Sequence, residues 1–194
     1  MKKYENLILT DIDGVCLNWE YAFENFMEDF GYERRKDLNT YDVAETYYIS
    51  KVEAKKMVRL FNQSAAIAYL PPLRDAIQYI RKLHEEHGFV FHAITSLSKD
   101  QNAQRLRTKN LKKLFGETAF EKFVYLDTGA DKDEALEEYR DTGCVWVEDK
   151  EENALLGLEM GLDSLLMEHG HNMENKTVKL MKNWKDIYQY VTGE

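Results

Sequence analysis

Two aspartates, two residues apart, close the first apolar run of the chain, Leu7-Ile8-Leu9-Thr10-Asp11-Ile12-Asp13-Gly14. An apolar strand ending in paired carboxylates presents both at the sheet edge where open α/β proteins bind ligands. Such a pair can hold a cation, or divide nucleophilic and acid–base work between its members. A plain strand-exit turn is the bland alternative, because Asp and Gly are common turn formers. A calcium loop does not fit the spacing. With Asp11 taken as the first position, Gly14 comes too early and the twelfth position is Ala22, which cannot chelate.

Three further clusters follow in chain order. Ala93-Ile94-Thr95-Ser96 ends an apolar run in two hydroxyls, and Val145-Trp146-Val147-Glu148-Asp149 ends another in an acidic pair, with Asn153 nearby. Between them, Asp131-Lys132-Asp133 supplies a cation. Each has an ordinary explanation as a helix cap, a helix start or a solvated lysine. Their recurrence at the ends of successive apolar runs is harder to attribute to chance.

The elements that must position them are short apolar runs alternating with amphipathic helices, the pattern of a parallel sheet covered on both faces. Strands are predicted at Asn6–Thr10, Phe89–Ile94, Phe123–Leu126, Cys144–Val147 and Asp163–Met167. Helices are predicted at Leu73–Glu86, along Leu106, Leu111, Leu114 and Phe115, around Ala154–Met160, and at about Thr177–Val191. The first two strands stand much further apart than a single crossover helix needs. Trp19, Phe23, Phe26 and Phe30 fall at helical spacing, as do Val52, Met57, Leu60 and Phe61. The expected division is a core of 1–18 and 70–194 with a helical cap at 19–69, entered again through Pro71-Pro72.

Composition narrows the function classes. Of 194 residues, 26 are Lys or Arg and 35 are Asp or Glu, a formal charge of −9 that argues against sequence-independent grip on a nucleic acid polymer. The basic strip Lys109, Lys112 and Lys113 reads as a solvated helix face. No apolar run is long enough for a membrane span, and the apolar stretch after the basic Met1-Lys2-Lys3 is too short for a signal peptide. Cys16 and Cys144 cannot build a disulfide framework, which suits a reducing, cytoplasmic setting. With 44% hydrophobic and 12% aromatic residues, the chain can bury a core.

Taken in order and strand context, the four clusters resemble the motifs of the haloacid dehalogenase superfamily: DxD, then Thr or Ser, then Lys, then an acidic pair. The resemblance implies a three-layer, Rossmann-like α/β fold with a five-stranded parallel sheet in the order 3-2-1-4-5 and a small helical cap inserted after the first strand. It also implies a phosphatase. Asp11 would attack phosphorus and form an aspartyl-phosphate, while Asp13 would protonate the leaving oxygen and later activate water. Gly14, Thr95, Ser96 and Lys132 would hold the phosphoryl oxygens. Mg2+ would be held by Asp11, Glu148, Asp149 and, through its backbone carbonyl, Asp13. An aspartate at position 13 counts against a dehalogenase, whose leaving group has no oxygen to protonate.

Within that superfamily the chain is similar to the 5′(3′)-deoxyribonucleotidases. The similar stretches are the Thr95-Ser96 pair, the turn Leu70-Pro71-Pro72-Leu73, Leu114-Phe115-Gly116, and the C-terminal Leu165-Leu166-Met167, His171-Asn172 and Asn183-Trp184-Lys185-Asp186-Ile187. Two departures are Glu148, where an Asp is usual, and Pro72, where a Gly is usual. The implied substrate is a nucleoside monophosphate, with a sugar phosphate or other small metabolite as the alternative and a homodimer as the candidate oligomer. Phe23, Phe26, Phe61, Tyr47, Tyr48 and Tyr69 are available to stack on a base, with Phe23, Phe61 and Tyr69 as the candidate cap contacts, although an aromatic stripe at helical spacing is more often a cap's own core. His169 and His171 read as loop residues, with His171 near the phosphate by resemblance. A non-catalytic binding protein on the same fold is the reading from a different class.

Overall fold

In the computed structural model, residues 4–194 are described; the basic Met1-Lys2-Lys3 lies outside them. Along the chain run β1 (Leu7–Thr10), α1 (Trp19–Asp29), α2 (Val43–Tyr47), α3 (Lys51–Asn62), α4 (Ala76–His87), β2 (Val90–Ser96), α5 (Gln101–Phe115), β3 (Phe120–Leu126), α6 (Asp133–Leu136), β4 (Val145–Glu148), α7 (Glu151–Glu159), β5 (Asp163–Met167), β6 (Lys179–Met181) and α8 (Trp184–Thr192). Among the described residues, no helix is long and apolar enough to cross a membrane.

The sheet is parallel throughout, in the order β3-β2-β1-β4-β5-β6. The five expected strands stand in the expected order, and β6 extends the sheet by a sixth. That strand falls inside the helix predicted at Thr177–Val191. Leu180, Trp184, Ile187 and Val191 do follow helical spacing, but Asn183 is fully extended and its side chain accepts from the Asp186 N–H. A helix can start only after that cap, which leaves Lys179–Met181 free to pair with β5. The helix predicted from Leu73 likewise starts later, at Ala76, because Arg74 takes a left-handed backbone (φ 43°). The Arg74 guanidinium donates to the Glu168 carbonyl (2.6 Å) and to the Lys182 carbonyl, tying this turn to the ends of β5 and β6.

Alternate residues of β1 feed two cores. Ile8 packs with the layer containing Phe91, Leu111, Trp184 and Ile187, whereas Leu7 and Leu9 pack with Tyr139, Trp146 and Met160 on the other face. Burial on both faces is why the strands read as continuous apolar runs. It also makes β1 the central strand, with its C-terminal end flanked by those of β2 and β4.

The segments that flank α1 to α3 pair with each other. The Asn18 N–H donates to the Pro71 carbonyl (2.8 Å) and the Leu73 N–H to the Cys16 carbonyl (2.9 Å). Inside the insert, Phe23, Phe26 and Phe61 pack ring against ring, with centroids 5.2 to 6.3 Å apart. At its base, Asn62 accepts from the Trp19 indole (2.9 Å) and donates to the Leu97 carbonyl (3.2 Å), seating the end of α3 on the loop after β2.

Candidate active site

The turn after β1 is built to aim its carboxylates. The Ile12 carbonyl accepts from the N–H groups of Cys16 and Leu17, both at 2.9 Å, and the Trp184 indole donates to the Val15 carbonyl at 2.8 Å. Gly14 has a positive φ of 75°, and a Cβ there would meet Asp149 Oδ2 at 2.2 Å. Glycine is therefore required twice over, by backbone conformation and by the carboxylate pressed against it.

Around this turn the ends of β1 and β4 and the start of α6 converge. Lys132 Nζ lies 3.0 Å from Asp11 Oδ2 and donates to Glu148 Oε1 at 2.8 Å, with both Lys132 and Glu148 buried. Glu148 is saturated. Its Oε1 also accepts from Asn153 Nδ2 (2.6 Å), and its Oε2 accepts from the N–H groups of Asp149 (2.6 Å) and Lys150 (3.2 Å). Asp11 Oδ1 is buried and has no hydrogen-bond partner among the described residues. Asp11, Glu148 and Asp149 each place an oxygen within 4.8 Å of the others, a spacing that one cation can bridge.

The electrostatics point the same way. Burial, aided by Glu148 and Asp13, outweighs Lys132 and pushes the Asp11 carboxyl up to about 7. Burial beside Glu148 and Asp11 lifts Asp149 well above the usual carboxylate range. For Glu148 burial acts upward, but Lys132 and its hydrogen bonds prevail and hold it below its ordinary value. Lys132 stays firmly protonated: burial opposes its charge, and Asp11 and Glu148 overcome that opposition. Four carboxylates thus face two buried cations, Lys132 and Arg107. With all four ionised they would exceed those cations by two charges, an excess that a divalent cation would offset, and the unpartnered Asp11 oxygen suits one as a ligand.

The two hydroxyls after β2 differ. Thr95 Oγ1 is buried, unpartnered among the described residues and part of the cleft wall. Ser96 also lines the cleft, but its hydroxyl donates to the Ala130 carbonyl (2.8 Å) and is already committed. His169 Nε2 donates to the Gly14 carbonyl (2.6 Å), and Asn172 Nδ2 to the Asp149 carbonyl (2.9 Å), so the loop after β5 braces both acidic turns. His171 Nε2 lies 3.4 Å from the same Asp149 carbonyl.

A cleft of about 890 Å³ opens between these groups and the inserted helices. Of the three cap aromatics expected to meet a substrate, Phe23 lines it, stacked on Trp19 with centroids 4.5 Å apart. Phe61 is fully buried against the rings of Trp19, Phe23 and Phe26, and Tyr69 is 76% exposed and does not line the cleft. Tyr47, one of the aromatics available to stack on a base, also lines it, as does the unforeseen Tyr41, set edge-on to His171 with centroids 5.2 Å apart. A polar loop precedes α2, and no periodicity marks Tyr41 there. Arg107 was equally unforeseen, although a signal existed: it falls in phase with Ala103, Asn110 and Leu111 on the buried face of α5.

No protein-family model matches the chain. Over an alignment of 114 positions that covers 56% of the chain, it is 32% identical to an uncharacterized 32.4 kDa protein of Enterobacteria phage T4, of which the match spans 40%. Among solved structures, a haloacid dehalogenase-like hydrolase of Streptococcus pneumoniae superposes with a TM-score of 0.65 at 16% identity, over 96% of this chain and 98% of that one. A D,D-heptose 1,7-bisphosphate phosphatase of B. bronchiseptica, complexed with magnesium and phosphate, gives 0.61 at 11% identity over 97% and 99%. A putative β-phosphoglucomutase of Thermotoga maritima gives 0.57 at 15% identity over 97% and 99%. The chain has the fold of the haloacid dehalogenase-like hydrolases.

Proposed function

We propose that the chain is a Mg2+-dependent phosphomonoesterase that works through a phospho-aspartate on Asp11. The observation that carries this reading is the excess of buried carboxylate at one sheet edge, with Asp11 Oδ1 left unpartnered and the unpartnered hydroxyl of Thr95 on the wall of the same cleft. Bound Mg2+, held by Asp11, Asp149 and the Asp13 backbone carbonyl, would offset the negative charge on the transferring phosphoryl group. Glu148, with both oxygens saturated, instead holds Lys132 and the turn at Asp149.

The residues of the chain divide the chemistry in two displacements. A carboxylate oxygen of Asp11 forms a bond to phosphorus as the ester P–O bond breaks, and the departing oxygen takes a proton from Asp13. Water then gives a proton to Asp13 and its oxygen bonds to phosphorus. The Asp11–phosphorus bond breaks, releasing inorganic phosphate and restoring both carboxyl groups. Thr95 and Lys132 orient the phosphoryl oxygens, and the Gly14 turn allows close approach.

For the substrate, the aromatic wall of Trp19, Phe23, Tyr41 and Tyr47 supports a nucleoside monophosphate, whose base offers a flat face. The likeness to a sugar-bisphosphate phosphatase and a putative phosphoglucomutase supports a sugar phosphate as the second reading. Phosphate release from p-nitrophenyl phosphate, with Mg2+ and then with EDTA, tests the reaction. Magnesium-dependent turnover is expected, and none from any ester would sink the proposal. A panel of dUMP, dTMP and dGMP against hexose phosphates separates the substrates, with at least about a tenfold advantage in kcat/KM expected for nucleotides.

A further inference from the structure

We infer that Arg107 is a positioning residue that sets the orientation of Asp13 for proton transfer to the leaving oxygen; the inference rests on the phosphomonoesterase reading. Arg107 is 0% exposed, and its Nη1 lies 2.7 Å from Asp13 Oδ1. Among the described residues its guanidinium makes no other ion pair and none of its three nitrogens has a partner in hydrogen-bond geometry, so the contact with Asp13 Oδ1 is a buried ion pair.

That arrangement is costly as packing. Burying a guanidinium with unmet N–H groups carries a desolvation penalty that an apolar side chain of similar volume would avoid. What the arrangement does achieve is geometric. Asp13 Oδ1 is sealed against Arg107, while the Asp13 side chain keeps 20% exposure and lines the cleft. One carboxylate oxygen is therefore pinned from below and the other is left to the substrate. Arg107 itself does not line the cleft, so it acts through Asp13. Its own place is secure: α5 is anchored by Ala103, Leu111 and Phe115 in the core, and Asn110, on the same face, donates to the Leu70 carbonyl at 3.1 Å.

A general acid matters most when the leaving group is poor. An alkoxide needs the proton as its P–O bond breaks, whereas p-nitrophenolate leaves without it. The value of kcat/KM reports the steps up to departure of the leaving group and is blind to later hydrolysis of the phospho-aspartate. Arg107→Met should lower kcat/KM for an alkyl phosphate, such as glycerol 3-phosphate or a hexose 6-phosphate, by about tenfold to a hundredfold. The value for p-nitrophenyl phosphate should change by less than about threefold. In an Asp13→Asn background, the same substitution should bring no further loss on the alkyl ester, since the group it positions is gone.

Equal losses on both esters, or full additivity with Asp13→Asn, would overturn the inference by showing a structural role only. If Arg107→Met does not fold, as judged by circular dichroism, the ratio is read on Arg107→Lys. That variant keeps the charge but loses the planar fork, so a selective loss on the alkyl ester of at least about threefold is expected and an equal loss overturns the inference. Wild-type chain that turns over neither ester would defeat the phosphomonoesterase reading and this inference together. Wild-type turnover with equal losses defeats the inference alone.

Discussion

Gly14 and Asp149 occupy each other's space: a side chain at Gly14 would meet the Asp149 carboxylate 2.2 Å from its Oδ2. The turn that carries Asp11 and Asp13 and the turn that carries Asp149 thus form one unit, closed by the His169 ring on the Gly14 carbonyl and the Asn172 amide on the Asp149 carbonyl.

Gly14→Ala should therefore strain the backbone at a positive φ and drive Asp149 off its position. We expect a loss of about a hundredfold or more in kcat/KM and a destabilisation of about 1–3 kcal/mol, measured by steady-state kinetics and urea unfolding. Near wild-type turnover would show that the two turns are independent.

Asp11→Asn should separate activity from stability. Turnover should fall by about a thousandfold or more, because an amide is no nucleophile. In EDTA the melting temperature should stay level or rise. With a folded pKa of about 7 against an ordinary 3.8, Asp11 contributes stability only while protonated, and that contribution is lost as pH climbs between those values. The amide does not ionise and escapes the loss. A lower melting temperature than wild type at neutral pH would contradict this account.

Magnesium should act as a folding ligand. At a hundredfold excess over its Kd it should add about 2.7 kcal/mol of stability, seen as an upward thermal shift that EDTA reverses. Asp149→Asn should remove most of the shift, and Glu148→Gln should affect it mainly through displacement of Lys132. A full shift in Asp149→Asn would move the cation elsewhere.

Away from the site, His92 should make the fold acid-sensitive. Burial, together with repulsion from Lys122, holds its pKa below the ordinary 6.5, and its Nδ1 lies 2.8 Å from the Tyr139 hydroxyl. The unfolded chain takes up the proton first, so this part of the stability is intact above 6.5 and is lost as pH falls from there toward the lowered folded value. Between about pH 7.5 and about pH 5.5, His92→Gln should lose less stability than wild type in urea titrations. Identical losses would remove His92 from the account.

The charge on α3 leads to a kinetic expectation. Lys51, Lys55, Lys56 and Arg59 all line the cleft, and Lys55 and Arg59 form no ion pair among the described residues. A chain with a net charge of −9 therefore presents a locally basic wall to its substrate. Reversing both charges with Lys55→Glu and Arg59→Glu should lower kcat/KM for a phosphate dianion by about tenfold at low ionic strength. That gap should close as salt screens the wall, and a gap that ignores salt would argue against steering.

Much of the candidate site is legible in the sequence because the relevant signals are local. An apolar run that must be covered on both faces, ended by Asp11-Ile12-Asp13-Gly14 or by Glu148-Asp149, announces a strand and delivers its polar end to one sheet edge. The order of the first five strands, by contrast, rests on the resemblance to the haloacid dehalogenase superfamily, whereas short-range logic supplies only where the strands lie. That logic misjudges β6, because Leu180, Trp184, Ile187 and Val191 keep helical spacing across a break that Asn183 makes.

Other features arise only when distant segments meet. Helical spacing could not say which aromatics of the inserted helices border the cleft, since Phe23 and Phe61 are both buried and only the packing of the helices puts the first along the cleft wall and the second behind it. Tyr41 reaches the site from a polar loop, and Arg107 reaches Asp13 from a helix 94 residues further along the chain. Residue type and order specified the chemistry, because a carboxylate, a hydroxyl and an amine carry their reactivity wherever they stand. Which of them are pinned, saturated or left unpartnered was decided by the fold, because burial and hydrogen bonding depend on neighbours that sequence distance does not reveal.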